Sequence, residues 1–239
     1  MIIETGYRAS IERWGLPVTS QPFTITAHAA LTQYTCRKTM TTTRKNTDAN
    51  YRPVMSDEGL DPTHPVSARD EFGNSRDLNI AGEFPLTIKV DNAEVVTLMT
   101  LGTYPEKLTL GYLRNQRLLE DINEVAQVKV DWERETVHVS TTHGEGIVDL
   151  HEKISKRIVT SGCGQGTIFS CTLDKLYDTR LPRVQIRQST IYALLKAINS
   201  YNEIYRAAGA VHGCALCDGD QILHFVEDVG RHNATDTIA

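Results

Sequence analysis

Three groups of residues in this 239-residue chain have types and spacings that could do chemistry. The first is "TSGCGQG", residues 160–166, where Cys163 stands between Gly162 and Gly164 with Gly166 close behind. Glycines around a thiol leave little to pack and free the backbone, so the pattern fits either an idle turn or a reactive sulfur on a loop. A reactive thiol needs exposure and a stabilised thiolate; Lys153, Lys156 and Arg157 are near in sequence. The second group is "HGCALC", with His212, Cys214 and Cys217. C-x-x-C beside a histidine is a zinc spacing, but residues three apart on a strand point to opposite faces. The H-x-E and later P-C-x-x-C of zinc deaminases are also missing. Two small thiols filling a sheet core is the favoured reading, no metal ligand is assigned, and His212 shares a strand face with Cys214. The third group is "EDVGRHNATD", residues 227–236. Gly230 permits a sharp turn into a helix whose free N–H groups attract an anion. Arg231 adds a planar fork and His232 a titratable donor. Glu227 and Asp228 could bind the donor edge of a purine or pterin, or pair with Arg231. A polar cluster that merely caps the helix fits the residues equally well.

The elements that must position these groups follow from periodicity. "FPLTIKV" and "EVVTLM" around "DNA" predict a hairpin, and "EVAQVKVD" and "ETVHVST" around "WER" predict a second strand pair. Between them "TYPEKLTLGYLRNQRLLED" predicts a helix with Pro105 at its first position and Leu108, Tyr112, Leu113 and Leu119 near one face. This makes a small α+β unit over roughly residues 80–145. Downstream, Ser189 or Thr190 caps a helix carrying Ile191, Leu194, Leu195, Ile198, Tyr201 and Tyr205 at helical spacing, with Gly209 as its stop. "AVHGCALC" and "ILHFVED" read as strands flanking "DGDQ", and Gly230 leads into a final helix. Helix, strand, strand and helix suggest a second, layered α/β unit. Residues 35–79 are rich in Thr, Asp, Asn, Arg and Pro with no visible period, which predicts a loop or disordered segment. The alternation of "FTITA" near the N-terminus finds no evident partner.

Composition bounds the function. Hydrophobic content of 40% supports a real core, and a net charge of −5 does not suggest nucleic acid or a membrane surface as partner. No apolar run approaches the ~20 residues that span a bilayer, and "MIIETGYRAS" lacks the features of a signal peptide. Five cysteines at irregular spacing in a chain too large to need disulfides point to a reducing, cytoplasmic setting.

Together, "TSGCGQG", "GAVHGCALCDGDQILHFVEDVGRHNATD" and the upstream "EFPLTIKVDNAEVVTLMTLGTYPEKLTLGYL" resemble, in order and distance, the formate dehydrogenase accessory sulfurtransferase family, FdhD, over about residues 78–239. The resemblance implies a sulfurtransferase that accepts sulfur from a cysteine desulfurase as a persulfide on Cys163. It implies transfer to the molybdenum (or tungsten) bis-pterin guanine dinucleotide cofactor as bound substrate, which then enters formate dehydrogenase. It further implies a homodimer, no zinc, and a fold of mixed α+β and α/β character. That fold has an N-terminal extension over 1–77, partly loop or disordered, and a small α+β domain over 78–150. A cytidine-deaminase-like three-layer domain with the sulfur-carrier loop follows over 151–239, incomplete at its C-terminus. His212, Glu227, Asp228, Gly230, Arg231, His232, Asn233 and Asp236 fall on the shared strings and are expected near the cofactor.

Three departures qualify the resemblance. Gly166 stands where some members carry a second loop cysteine, so a single-cysteine relay is implied, and Cys171 is no evident substitute. Thr237 replaces a usual lysine. Family chains run on past the final motif, so truncation is expected here. The competing readings are a non-catalytic cofactor-binding chaperone of formate dehydrogenase, a zinc hydrolase built on His212, Cys214 and Cys217, and an inactive fragment.

Overall fold

Among the described residues, the two largest of four β-sheets each carry packed helices and meet where a helix of one crosses a helix of the other. The structure, a computed structural model, describes residues 2–5, 51–144, 157–159, 167–169, 180 and 183–239. In chain order these hold β1 (Ile2–Thr5), β2 (Val54–Met55), β3 (Thr63–Arg69), β4 (Ser75–Ala81), β5 (Phe84–Val90), β6 (Ala93–Thr100) and α1 (Pro105–Asn115). After a 3-10 turn come β7 (Val125–Asp131), β8 (Thr136–Thr141), β9 (Arg157–Val159) and β10 (Thr167–Phe169). The last part holds α2 (Gln188–Ile198), α3 (Glu203–Ala208), β11 (His212–Asp218), β12 (Gln221–Asp228) and α4 (Arg231–Ile238). The fold is thus mixed α+β, and no helix among the described residues is long and apolar enough to cross a membrane.

The first sheet has the order β2-β7-β8-β5-β6. Its β2–β7 and β8–β5 pairs are parallel, and its β7–β8 and β5–β6 pairs are antiparallel. Alternation along β5 buries Leu86, Ile88 and Val90, and Val128, Val130, Val137 and Val139 from β7 and β8 join the same core. The core is closed by Leu108, Tyr112 and Leu113 of α1. Pro105 stands at the start of α1 as expected, but the helix ends at Asn115. Arg117 turns to φ 55°, and the N–H groups of Leu118 and Leu119 both return to the Leu113 carbonyl. Leu119 therefore reaches the core from beyond the helix.

The second sheet has the order β1-β11-β12, antiparallel throughout. Ala215 and Cys217 of β11 pack with Leu194 and Ile198 of α2 on one face, while Cys214 faces α4 through Thr235 on the other. The two thiols of "HGCALC" therefore lie on opposite faces, as strand alternation requires. Burial pushes the Cys217 thiol above its ordinary pKa.

Besides the early end of α1, expectation and structure differ in three places. The segment 35–79 was expected to be loop or disordered, yet its described part forms β2 and the antiparallel hairpin β3–β4. Both hairpin faces are largely exposed, so no apolar alternation marks it; Asp70 sets its turn by accepting from the N–H groups of Phe72 and Asn74. The approach to that hairpin is held by single polar anchors. Buried Glu106 accepts from Ser56 Oγ at 2.7 Å and Glu58 N at 3.0 Å, and Trp132 Nε1 donates to the Glu58 carbonyl. The second difference concerns α2, which starts at Gln188 after Arg187, so Ser189 and Thr190 lie inside its first turn. It also stops at Ile198, and Tyr205 belongs to the separate helix α3. Gly209 (φ 66°) ends α3 where the glycine was expected to. The third difference is β1, an N-terminal strand whose partner, β11, lies some two hundred residues away in sequence.

Candidate functional site

The string "EDVGRHNATD" begins at the end of β12 and runs into α4, and adjacent side chains of an extended strand diverge. Glu227 and Asp228 accordingly reach opposite ways. Glu227 is buried, and its Oε2 and Oε1 accept from the N–H groups of Ile204 (3.0 Å) and Tyr205 (2.9 Å). These are first-turn donors of α3 that have no partner within the helix. A carboxylate from a strand thus serves as the cap that Asn202 does not supply, which is why the helical pattern of residues 188–208 breaks into two helices.

Asp228 is 3% exposed and accepts four hydrogen bonds. Its Oδ2 takes Thr100 Oγ1 (2.7 Å) and Leu101 N (3.1 Å), and its Oδ1 takes Gly230 N (2.9 Å) and Asn233 Nδ2 (2.8 Å). Asn233, also buried, donates from the same Nδ2 to the Met99 carbonyl at 2.7 Å. Burial pushes the Asp228 carboxyl above the ordinary carboxylate range, and the four donors only partly offset it. The pair ties the end of β6, in the first sheet, to the turn after β12, in the second. A Cβ on Gly230 would lie 2.9 Å from Asn233 Nδ2 and would have to displace an amide that Asp228 and the Met99 carbonyl hold in place.

Asp236 makes the third joint. Its buried carboxylate accepts from Asn115 Nδ2 at 2.6 Å, and burial pushes its pKa up to about 6. At this crossing α4 and α1 are so close that a Cβ on Gly111 would fall 1.7 Å from the Asp236 carbonyl oxygen. A glycine inside a helix is a sequence signal for such an approach, and it passes unnoticed in a reading of motifs alone. Thr100 and Asn115, the other partners of this clamp, carry no signal that sequence inspection could separate from an ordinary strand end and helix end.

The structure therefore divides the expected site residues. Glu227, Asp228, Asn233 and Asp236 are buried and bonded to the scaffold, and Gly230 caps α4. Arg231 and His232 are exposed in the first turn of α4. His212 opens β11 directly opposite Asp228 in the strand register, half-buried. The arrangement brings a guanidinium, an imidazole and the N-terminal end of a helix to one surface, chemistry suited to an anionic ligand. Among the described residues no group of three or more His, Cys, Asp or Glu side chains is placed to hold a metal ion. Cys163 lies outside the described residues, as does Cys171. The strands that flank Cys163 in sequence, β9 and β10, pair antiparallel with Val159 opposite Thr167.

Comparison with known proteins gives this geometry a family. The chain is 32% identical over 158 residues to the sulfur carrier protein FdhD of Bacillus subtilis, covering 65% of this chain and 59% of that protein. It is 29% identical over 160 residues to that of Bacillus pumilus, covering 66% and 60%. It thus spans about 60% of the length of these curated relatives. The fold is shared with a crystal structure from Desulfotalea psychrophila described as a formate dehydrogenase accessory protein. The TM-score is 0.53 at 19% identity, covering 74% of this chain and 65% of that one. The sequence model of the FdhD/NarQ family matches residues 81–239, the stretch that contains β5 through α4 and the whole of the clamp; the chain belongs to the FdhD/NarQ family.

Proposed function

We propose that this chain is a sulfurtransferase that carries sulfur on Cys163 and delivers it to the molybdenum bis-pterin guanine dinucleotide cofactor, its bound substrate, for formate dehydrogenase. The observation that carries the reading is the family match, with relatives named as sulfur carrier proteins, across the segment that contains the cysteine loop. The donor is a cysteine desulfurase. Attack of the Cys163 thiolate on the donor's terminal sulfur forms one S–S bond and breaks the donor's own, releasing the donor thiolate. With Gly166 rather than a cysteine three residues on, the relay holds one sulfur at a time.

Arg231 and His232, exposed at the start of α4, would contact the phosphates of the guanine dinucleotide cofactor, and His212 would lie beside them. Glu227, Asp228, Asn233 and Asp236 would act behind that surface, as the clamp that holds it. The α2–sheet–α4 layering supports a deaminase-like second domain over 151–239, after the small domain 78–150 and the extension 1–77. We also propose a cytoplasmic homodimer.

Complementation tests the reading. In cells deleted for their own copy, the wild-type chain should restore formate dehydrogenase activity, and Cys163→Ser should accumulate normally yet restore none. Normal activity with Cys163→Ser would instead favour a non-catalytic chaperone of the cofactor or the enzyme.

A further inference from the structure

In the second sheet β12 is an outer strand, with β11 as its one neighbour among the described residues. A cleft of about 570 Å³ follows it, lined by Ile222–Glu227 and by Thr103, Tyr104, Ser200, Tyr201, Glu203 and Ile204. The register makes Leu223 an extra residue, because Leu216 pairs with His224 and Cys217 with Ile222. From His224 to Glu227 the strand is regular. Within that stretch Phe225 packs on the α2 side and Glu227 reaches α3, so alternation turns His224 and Val226 to the α4 side. All four nevertheless line the cleft. A cleft lying on one face would be lined by alternate residues only, so this one sits on the strand's edge.

A strand edge offers a row of N–H and C=O groups that another extended chain satisfies. Edges not meant to pair are commonly guarded by Lys, Pro, a bulge or an inward-pointing charge; His224–Glu227 has neither Lys nor Pro, the bulge lies before it at Leu223, and its inward charge, Glu227, is taken up by α3. Exposed Leu223, Tyr104 and Tyr201 flank the row and offer apolar contacts to alternate side chains of an incoming strand. The carboxylates in the cleft are exposed Glu203 and buried Glu227, the latter already bonded to α3, so the field at that end favours a basic side chain. A second copy is a poor occupant through its own β12, because that strand is itself one wall of a cleft, faced by Thr103, Tyr104 and the Ser200–Tyr201 and Glu203–Ile204 segments.

The geometry points to a docking groove at the His224–Glu227 edge of β12 for a short extended segment of a partner protein, with apolar residues in alternation and a basic residue at the Glu203 end. It adds a fourth strand to the β1-β11-β12 sheet. This surface is independent of Cys163 and does not rest on the sulfur-transfer reading.

The test uses the full chain, isotope-labelled, with blocked decapeptides of alternating valine and threonine that carry a lysine near one end, near the other, or nowhere. Titration should slow amide exchange at alternate positions of His224–Glu227 by at least tenfold. Lysine at one end should tighten binding several-fold, and N-methylation of alternate peptide amides should abolish protection. Three results would overturn the proposal. They are no protection at millimolar peptide, equal binding by the N-methylated peptides, or a concentration-dependent dimer of the chain alone that protects the same amides.

Discussion

Asp228 accepts two donors on each carboxylate oxygen, so no orientation of an asparagine amide can replace it. In Asp228→Asn the NH2 group would face at least one fixed buried N–H, that of Leu101 or of Gly230, and leave it unsatisfied. The expected loss of stability is about 2–3 kcal/mol, measured by urea unfolding at neutral pH. Asp236 behaves differently because it has one hydrogen-bond partner and a folded pKa of about 6, above the unfolded 3.8. Between those values the folded state binds more protons than the unfolded one, so its contribution to stability falls as pH rises from about 4 to 6 and is flat above. A shift of this size corresponds to roughly 3 kcal/mol. Asp236→Asn keeps an oxygen for Asn115 and removes the buried charge. It should therefore be more stable than the wild type at pH 7, and the difference between the two should shrink toward pH 4. A difference independent of pH would show that the carboxyl titrates normally.

At the scale of elements, Gly111 decides how closely α1 and α4 cross. Alanine inside a helix is ordinarily worth up to about 1 kcal/mol over glycine, but here its Cβ would lie 1.7 Å from the Asp236 carbonyl oxygen. The steric term wins, and Gly111→Ala should destabilise by about 1–3 kcal/mol, seen as a lower midpoint in thermal unfolding; an unchanged or raised midpoint would mean the helices sit further apart. The same scale explains what could be read in advance. The β5–β6 and β7–β8 pairs and the α1 face were legible because Leu86, Ile88, Val137 and their neighbours alternate against one core. The β11–β12 hairpin was legible from its turn, where Gly219 adopts φ 58°. The β3–β4 hairpin was not, because its order comes from the Asp70 turn and backbone pairing with both faces exposed. The break between α2 and α3 was hidden for a similar reason: the acceptor for Ile204 and Tyr205 is Glu227, more than twenty residues away. Of the site, the string 227–236 stood out as a motif. Which of its members face solvent and which hold the scaffold depended on Thr100, Leu101 and Asn115, partners more than a hundred residues upstream.

Across the whole molecule, the family string is the joint between two sheets. Asp228 and Asn233 fasten β6 to the turn before α4, and Asp236 with Gly111 fastens α4 to α1. The exposed pair Arg231 and His232 is thereby held at the start of a helix fastened to both sheets, while Cys163 falls between β9 and β10 in sequence, outside the described residues. The proposed carrier role requires the sulfur to appear on the Cys163 thiol. The most direct measurement is intact mass after incubation with a cysteine desulfurase and cysteine. The wild-type chain should gain about one sulfur atom, lost on reduction, and Cys163→Ala should gain none. Equal labelling of the Cys163→Ala chain, or no labelling of a folded wild-type chain, would contradict the account.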